Sequence, residues 1–500
     1  MKPGSTPRNK IWFMAMVALT ALIAVRLWMA DTVPVTDATE SRYAEISRKM
    51  VETADWITPQ YDYNVPFWGK PPLAFWISAA GIELLGPTEF AARAGIFLLA
   101  IALSVLFFFW LREIFEPVSA AAAMLMMFSS VLYFISAAAV MTDLVLAAAV
   151  TLGLIAFWQH FHRGARSWEL VLYIAIGMGL LAKGPIAVIF ILFPVVMWAI
   201  VTRNFVAAWR QFSWVKGALI AILIAAPWYI LAENKTPGFL EYFIVGEHLN
   251  RFLVSGWHGD LYGHAHSAPT GMIWLYWLGA LFPWSLVLIP VIYLRRKILF
   301  ENWRRHQHLI LFALAWTVCP LLLFTFAHNI LWTYPLPGLP GAIVLLVALL
   351  AGKEENENTQ FLKIVSVVAI LIALLCVVLS VYVANETAIY AKHSQKQVVA
   401  EIDRSCMGAD CGIYYWDNRF YSAEFYSQGR AKRIDKPEQL RQLMKNRSKN
   451  FLVVAKDDLS GLPEDIRQNF SPVKQFGELL VLEEASGESA KKVSEKTHED

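Results

Sequence analysis

The sequence predicts an α-helical polytopic membrane protein of about eleven spans, followed by a small C-terminal α/β domain. Hydrophobic residues make up 57% of the 500-residue chain and charged residues only 17%, whereas soluble proteins carry about a quarter charged residues. The mean hydropathy of +0.47 also indicates a membrane protein. The net charge of +3 is small, and no basic run with interleaved aromatic residues occurs, so the sequence gives no sign of nucleic-acid binding.

Apolar stretches of roughly 20 residues, the length that crosses a bilayer, define the predicted spans. The first follows a basic segment and has no small-residue cleavage pattern, so we expect a retained span rather than a signal peptide. The predicted spans lie at 11–30, 94–111, 118–138, 144–161, 169–182, 184–202, 217–232, 271–294, 309–327, 335–352 and 361–384.

The short apolar segment Pro71–Gly86 decides the sidedness of every later loop. If it does not cross, arginine and lysine concentrate in the loops on the N-terminal side, as the positive-inside rule requires. We therefore predict an interfacial or re-entrant helix, a cytoplasmic N-terminus and an external C-terminal domain. The long first loop (31–93) then shares the outer face with loop 233–270.

The composition becomes more polar near residue 385, which predicts three parts: a membrane domain (1–384), an α/β domain (385–484) and a disordered tail (485–500). Within the second part, 411–434, 450–459 and 476–484 have the pattern of strands and 436–446 that of a short helix. Cys406 and Cys411 can form a disulfide only if this domain lies outside the cytoplasm.

The stretch TDATESRYAEISRKMVE (36–52) in the first loop predicts an amphipathic helix in the membrane interface. Tyr43 falls on its apolar side, whereas Arg42 belongs to the charged side. Asp37 and Glu40 fit two interpretations. They are either the N-cap and N3 residues of a capping box or acids that face an outer cavity.

Two further charged residues also admit a structural and a functional interpretation. Lys70, in VPFWGKPPLAFW, is either a lysine that snorkels at a helix end or a cation fixed by the two following prolines to bind a phosphate. Asp143, at the start of a span, is either an acid stabilised there by the helix dipole or a residue that faces the same outer cavity. Tyr334 lies at the outer end of a proline-broken span, which tolerates open backbone only where it lines a cavity.

The sequence requires no cofactor, and dependence on a divalent metal stays open. His264 and His266 are spaced as zinc ligands on an extended segment, but no full ligand set accompanies them. Solvent-facing loop histidines are the alternative interpretation.

Two functional classes fit a cavity on the outer face among proline-broken spans. One is an enzyme whose substrate has both a lipid part and an anionic part, and the other is a transporter or flippase. Transporters usually carry internal repeats and ionisable groups near the bilayer midplane. This chain concentrates its charges at one face, which favours the enzyme. P-loop, GxSxG and Gly-rich dinucleotide motifs are absent from the sequence.

Seven blocks of the sequence carry a family resemblance between residues 31 and 345. They are RYAEISRKM, ADWITPQ, FWGKPPLAFW, GPTEFAAR, EHLNRF, FPW and TYPLPGLP, in this order. In them the chain resembles the membrane GT-C glycosyltransferases, above all the bacterial 4-amino-4-deoxy-L-arabinose lipid A transferase-like proteins, and is similar to the protein O-mannosyltransferases. The resemblance implies transfer of a sugar from an undecaprenyl-phosphate carrier, a polyprenyl phosphate, to lipid A or another envelope glycan or protein at the periplasmic face of the bacterial inner membrane.

The resemblance also implies roles for individual residues. Lys70 would stabilise the charge that develops on the leaving phosphate, and a carboxylate would act as base if the acceptor is a hydroxyl. The implied catalytic residues are Asp37, Glu40, Lys70 and Asp143, and the implied substrate-binding residues are Arg42, Tyr43, Arg93, His328 and Tyr334.

The chain departs from the family pattern at three places. The acid pair before the family arginine reads Thr39-Glu40 here, with Asp37 two residues earlier. Gly69 stands where a glutamate often precedes the KPP lysine, which weakens the case for zinc. Ile330 replaces a lysine near the late tyrosine, and His328 or Asn329 would have to substitute for it.

Overall fold

The computed structural model describes residues 7–485 except 252–253, 255–256, 263–267, 288–289, 291–295, 353, 386–391, 407–410 and 446–448. Its membrane part is a bundle of α-helices interrupted by one π-helix, Glu241–Asn250. The α-helices of this part are α1 (Pro7–Thr32), α2 (Thr39–Glu52), α3 (Leu73–Leu85), α4 (Glu89–Leu111), α5 (Pro117–Ser129), α6 (Val131–Ser136), α7 (Thr142–Arg163), α8 (Arg166–Lys183), α9 (Ile186–Val201), α10 (Phe205–Gln211), α11 (Trp214–Lys235), α12 (Met272–Ala280), α13 (Arg296–Phe324), α14 (Leu339–Leu350) and α15 (Glu355–Asn385).

The bundle is that of a multi-pass membrane protein. Among the described residues, 6 helices are long and apolar enough to cross a bilayer: α1, α4, α7, α11, α13 and α15. Each predicted span coincides with one helix or with consecutive helices, apart from 271–294, part of which lies outside the described residues. The count of about eleven spans stays a prediction, because several of the matching helices are shorter.

The segment Pro71–Gly86 forms helix α3, which begins at Leu73 and has 13 residues. At about 1.5 Å per residue it is roughly 20 Å long, too short to cross the apolar core of a bilayer. It packs against α2 and α4, as an interfacial or re-entrant helix would.

Helix α7 lies at the centre of the bundle and positions the chemistry described below. Its side chains from Thr142 to Ala149 are all buried, and small residues let its neighbours approach closely. In α8, a Cβ on Gly179 would come within 2.6 Å of the Cβ of Ala187 in α9 and 3.7 Å from that of Ala149 in α7. Close packing of small side chains is how helices associate inside membranes.

The C-terminal domain is a five-stranded mixed sheet in the order β4-β3-β5-β7-β6. Strand β3 is parallel to both β4 and β5, whereas β7 is antiparallel to β5 and β6. Cys406 and Cys411 are joined by a disulfide. The predicted tail lies outside the described residues, apart from Ala485. The strands are β3 (Cys411–Trp416), β4 (Ala431–Ile434), β5 (Lys449–Ala455), β6 (Phe470–Phe476) and β7 (Leu479–Glu484), and the helices are α16 (Lys396–Cys406), α17 (Tyr421–Tyr426), α18 (Pro437–Leu443) and α19 (Glu464–Gln468).

The prediction of strand structure through 411–434 was wrong in its middle, where helix α17 joins β3 to β4. Parallel neighbouring strands require a crossover connection, and a short helix provides it. Helix α17 also packs on α2 of the first loop, so it connects the two domains. A two-stranded ribbon, β1 (Gln60–Asp62) with β2 (Val65–Pro66), completes that loop.

The charged side of α2 is buried beneath the C-terminal domain. Lys49 is 1% exposed, and its Nζ lies 3.1 Å from Oε2 of Glu424 in α17. Arg48 binds Glu45 through two hydrogen bonds of 2.7 and 2.8 Å. Burying charge is tolerated only when each group is paired, so α2 faces protein on both sides rather than the membrane interface alone.

The capping-box interpretation of Asp37 and Glu40 is wrong. Helix α2 begins at Thr39 with Ala38 as N-cap and has no side-chain cap. Asp37 instead accepts a hydrogen bond of 2.7 Å from the Ser41 hydroxyl. Glu40 is engaged by Arg93 of α4, so both acids have tertiary partners that sequence spacing does not reveal.

Candidate active site

A small cavity with several charged side chains in its lining lies where the first loop meets the end of α8, beside the start of α7. Its volume is about 90 Å³, and a water molecule occupies roughly 30 Å³ in the liquid. The cavity is lined by Lys70, Lys183, Ile186, Glu247, His248, Arg251, Phe324, Asn329 and Tyr334.

Two cations share one carboxylate at this cavity. The Nζ of Lys70 lies 2.8 Å from Oε2 of Glu247, and Nη1 of Arg251 lies 2.9 Å from the same oxygen. The Glu247 side chain is 4% exposed, against 17% for Lys70 and 21% for Arg251. Both cations therefore remain within reach of an anion that enters from the cavity.

Glu247 is an ionised carboxylate at neutral pH. Burial alone would raise its pKa, but the charges of Lys70 and Arg251 outweigh burial and lower the pKa from 4.5 to about 2. The π-helix holds the pair together, because Glu247 and Arg251 are four residues apart at its end. π-Helical segments are rare and frequent at functional sites.

A second ion pair lies beside the first. The Nζ of Lys183, the last residue of α8, is 2.7 Å from Oδ1 of Asp143 in the first turn of α7. The same ammonium lies 4.6 Å from the ring centroid of Tyr334, within cation–π range. Burial raises the pKa of Tyr334 to about 12, so its hydroxyl keeps its proton and can donate a hydrogen bond.

His248 fixes the backbone of this region. Its Nδ1 is 2.7 Å from the carbonyl oxygen of Phe243, and its Nε2 is 3.3 Å from that of Lys183. Burial lowers the pKa of His248 below its ordinary value, so the ring is neutral at neutral pH. The contacts couple the π-helix to the end of α8.

Of the residues singled out from the sequence, Lys70, Asp143 and Tyr334 converge here: Lys70 and Tyr334 line the cavity, and Asp143 pairs with Lys183, which also lines it. Lys183, Glu247 and Arg251 were missed as site residues. Glu247 and Arg251 do lie in the block EHLNRF. Their opposite charges, four residues apart, were the feature of the sequence that could have indicated an ion pair.

Glu40 and Arg93 form a separate buried pair. Nε and Nη2 of Arg93 each lie 2.8 Å from an oxygen of Glu40, and Glu40 also accepts from the backbone N–H of Val140 at 3.3 Å. Burial alone would raise the pKa of Glu40, but the charge of Arg93 lowers it below the ordinary value. The pair joins α2 to α4 and to the residues before α7.

Asp37 lies at the junction with the C-terminal domain. Its carboxylate accepts hydrogen bonds from the backbone N–H of Ser422 at 3.0 Å and from the hydroxyl of Ser422. Burial raises the pKa of Asp37, and the hydrogen bonds from Ser422 and Ser41 offset the rise only in part. Asp37 is not among the residues that line the cavity.

Arg42 and Tyr43 belong to an aromatic cluster next to the cavity. Nη1 of Arg42 donates to the carbonyl of Tyr262 at 2.5 Å, and its guanidinium lies 5.5 Å from the ring centroid of Tyr43. The Tyr43 ring packs edge-on against Phe75 at 5.3 Å. Arg42 and Tyr43 thus hold this aromatic cluster together through cation–π and edge-to-face contacts.

The predicted histidines have different outcomes. The Nδ1 of His328 is 3.2 Å from the carbonyl oxygen of Ala268, and His328 does not line the cavity. His264 and His266 lie outside the described residues. Within the ranges that are described, no group of at least three His, Cys, Asp or Glu side chains could hold a metal ion.

The chain is similar to known proteins of one group. Residues 10–243 match the family model for dolichyl-phosphate-mannose-protein mannosyltransferase. An undecaprenyl phosphate-alpha-4-amino-4-deoxy-L-arabinose arabinosyl transferase of Edwardsiella ictaluri is 30% identical over 361 residues, which cover 70% of this chain and 60% of that protein. A protein of the same name from Yersinia pestis is 27% identical over 74% of this chain and 64% of its own length. The alignments thus span less than two thirds of these relatives.

The fold is that of a solved membrane protein. The crystal structure of ArnT from Cupriavidus metallidurans bound to undecaprenyl phosphate superposes with a TM-score of 0.77 at 18% identity, over 97% of this chain and 99% of that chain. The apo state of the same protein gives a TM-score of 0.76 over 96% of this chain and 98% of that chain. The architecture predicted from the sequence, a helical membrane bundle with a small C-terminal α/β domain, is confirmed.

Proposed function

We propose that the chain is a GT-C membrane glycosyltransferase of the protein mannosyltransferase and aminoarabinose transferase type, and that it transfers a sugar from a polyprenyl-phosphate carrier. The donor is an undecaprenyl-phosphate sugar, as the names of the relatives suggest. The acceptor is lipid A or another glycan or protein of the cell envelope. The similarity to this group, together with charges gathered at one end of the bundle, favours the enzyme over the transporter alternative.

The observation that carries the proposal is the pair of cations, Lys70 and Arg251, on one carboxylate at the cavity. A carrier phosphate is an anion that both cations can contact while Glu247 keeps them in position. Charge-assisted hydrogen bonds from Arg and Lys are the strongest contacts to phosphate. As the bond between the sugar and the phosphate breaks, its electron pair passes to the phosphate oxygen, and these fixed charges stabilise it.

Asp143 is the base we propose for an acceptor that carries a hydroxyl. The acceptor oxygen attacks the anomeric carbon opposite the phosphate, which inverts that centre, and its proton passes to the Asp143 carboxylate. Lys183, 2.7 Å away, fixes the orientation of this carboxylate. An acceptor that is already a phosphate has no proton to give up, and Asp143 then only positions it.

For the other predicted residues we propose supporting roles. Arg93 and Glu40 fix α2 against α4, and Asp37 fixes α2 against the C-terminal domain. Arg42 and Tyr43 support the aromatic cluster next to the cavity, and His328 holds the backbone at Ala268. These assignments follow from the contacts of each side chain described above.

The orientation we propose is an N-terminus in the cytoplasm and a C-terminal domain in the periplasm, with the bundle in the bacterial inner membrane. The positive-inside rule supports this orientation, because arginine and lysine are in excess in the loops on the N-terminal side. The Cys406–Cys411 disulfide supports a C-terminal domain outside the cytoplasm. In spheroplasts, a membrane-impermeant maleimide should label a Ser460→Cys variant and spare a Ser167→Cys variant, since both positions are exposed. Labelling in the reverse pattern would refute the orientation.

The function is tested by mass spectrometry of the cell envelope from a deletion strain complemented with wild type, Lys70→Ala or Lys235→Ala. Lys235 is a matched control, because it pairs with Asp55 away from the cavity. We expect the deletion and Lys70→Ala to lose one glycosyl mass from lipid A, polysaccharide or glycoprotein and to accumulate the carrier-linked sugar. Unchanged masses in all fractions while the protein is expressed would refute the proposal.

A further inference from the structure

A second polar cavity lies at the opposite end of the bundle from the candidate active site, and we name it the α8–α11 cavity. Its volume is about 540 Å³. Helix α8 connects the two sites, since Arg166 at its start lines this cavity and Lys183 at its end lines the other. Seventeen residues at about 1.5 Å each separate them by roughly 26 Å, close to the thickness of a bilayer core.

The charges around the α8–α11 cavity are suited to an anion. Arg166 and Lys216 are exposed, and neither has an ion-pair partner among the described residues. The first turns of α8 and α11 also border the cavity, and helix N-termini carry partial positive charge. Glu169, an acid that also lines the cavity, is partly neutralised by the start of α11, because the backbone N–H of Ser213 donates to its Oε1 at 2.5 Å.

An unpartnered donor lies in the wall of the same cavity. Tyr173 is 3% exposed, and its hydroxyl has no hydrogen-bond partner in the described part of the chain. The ring lies over Gly217, another lining residue, where an added Cβ would come within 2.0 Å of the ring carbon that carries the hydroxyl. A buried hydroxyl without a partner is costly, so a ligand that accepts its hydrogen bond would remove the penalty.

The surroundings of the cavity are those of a membrane surface. In α10, Phe205, Val206 and Trp209 are 46%, 60% and 60% exposed, and the rings of Trp209 and Trp214 stack at 5.9 Å. Exposed aromatic residues beside basic residues are typical of the level of the lipid headgroups. A ligand can therefore reach the cavity directly from the bilayer.

We propose that the α8–α11 cavity binds the phosphate headgroup of an anionic phospholipid in the leaflet opposite the candidate active site. Arg166 and Lys216 contact the phosphate, and Tyr173 donates a hydrogen bond to one of its oxygens. The acyl chains lie against α11, whose residues Val215, Leu219 and Leu223 are 77%, 62% and 74% exposed. Free inorganic phosphate shares the headgroup's chemistry, so the test includes it separately.

The test measures lipid binding by the full-length protein in phosphatidylcholine vesicles titrated with phosphatidylglycerol, using native mass spectrometry and thermal unfolding. We expect wild type to retain phosphatidylglycerol in preference to phosphatidylcholine. Loss of one charged contact, as in Lys216→Ala, should weaken this binding about tenfold, and Tyr173→Phe severalfold. Arg210→Ala is the matched control, because Arg210 is an exposed cation beside the cavity that does not line it.

Each alternative outcome would overturn the proposal. Equal retention of the two lipids by wild type would mean that the cavity does not select an anionic headgroup. Equal weakening in Arg210→Ala and Lys216→Ala would indicate diffuse attraction to the membrane surface. Stabilisation by inorganic phosphate alone, as large as that by phosphatidylglycerol, would identify a free anion as the ligand. Tyr173→Phe preserves the ring packing, so its result stands even if Lys216→Ala folds poorly.

Discussion

Replacing Glu247 with glutamine should destabilise the protein by about 2–3 kcal/mol. The shift in the pKa of Glu247 from 4.5 to about 2 corresponds to about 3 kcal/mol, at 1.36 kcal/mol per pKa unit. Breaking a buried ion pair typically costs about 3–5 kcal/mol, and the partial exposure of Lys70 and Arg251 reduces that value. The amide keeps the shape of the side chain, so the loss reports charge rather than packing.

The pH dependence of this loss has a definite sign. The pKa of Glu247 is lower in the folded protein than its ordinary value, so its stabilisation is complete above pH 4.5 and is lost as the pH falls from 4.5 toward about 2. The stability difference between wild type and Glu247→Gln should therefore shrink on acidification across that range. Glu241→Gln is the control, because Glu241 is an exposed residue of the same π-helix and should behave like wild type throughout.

The same variant tests where the carrier phosphate binds. A ligand present at one hundred times its Kd stabilises the folded state by about 2.7 kcal/mol. If the phosphate occupies the cation pair, it replaces the charge that Glu247→Gln removes, and undecaprenyl phosphate should raise the melting temperature more in the variant than in wild type. Equal stabilisation of both proteins by undecaprenyl phosphate would refute the assignment of Lys70 and Arg251 to the phosphate.

Three other perturbations follow from the ion pairs and hydrogen bonds. Asp143→Asn should lower the turnover number at least 100-fold for a hydroxyl acceptor with little change in the donor KM, and normal turnover would exclude its role as base. Asp37→Ala, which leaves the buried Ser422 N–H without its acceptor, should lower the free energy of opening measured by hydrogen exchange in α2 by roughly 1–3 kcal/mol, whereas Asp37→Asn should be tolerated because its amide oxygen can still accept that hydrogen bond. Glu424→Gln should destabilise the protein by about 2–4 kcal/mol in thermal unfolding, because Lys49 is buried against it; a loss below about 1 kcal/mol, the range of an exposed ion pair, would contradict this reasoning.

The sequence predicted the features whose physical basis is local. Span positions follow from hydropathy, and Lys70 could be singled out because two prolines fix the chain beside it. Asp143 could be placed at a helix start by pattern alone, and Thr142 is indeed the first residue of α7. Each of these inferences needs only the residue and its neighbours along the chain.

The sequence did not predict which charges pair, because pairing depends on contacts between distant segments. Lys183 appeared as a lone basic residue in an outer loop, yet its ammonium meets a carboxylate 40 positions earlier in the chain. The charged side of α2 was assigned to the interface, because a helical wheel cannot show that α17, about 375 residues later, covers Lys49. Helix geometry gives the face of a side chain but not what packs on it.

The charge balance of the candidate site bears on how it would bind its donor. Lys70 and Arg251 share Glu247, and Arg251 also lies 3.5 Å from Asp260, so the cations already have counter-charges from the protein. Because uncompensated buried charge is expensive, these acids make the site stable as a folded structure. A carrier phosphate must then compete with them, which lowers its ground-state affinity. The advantage comes later, because the charge on the phosphate grows as the sugar leaves and its attraction to the two cations grows with it. Binding energy that grows toward the transition state raises the rate, and because the product carrier keeps the added charge, the competing acids also limit how tightly the two cations retain it.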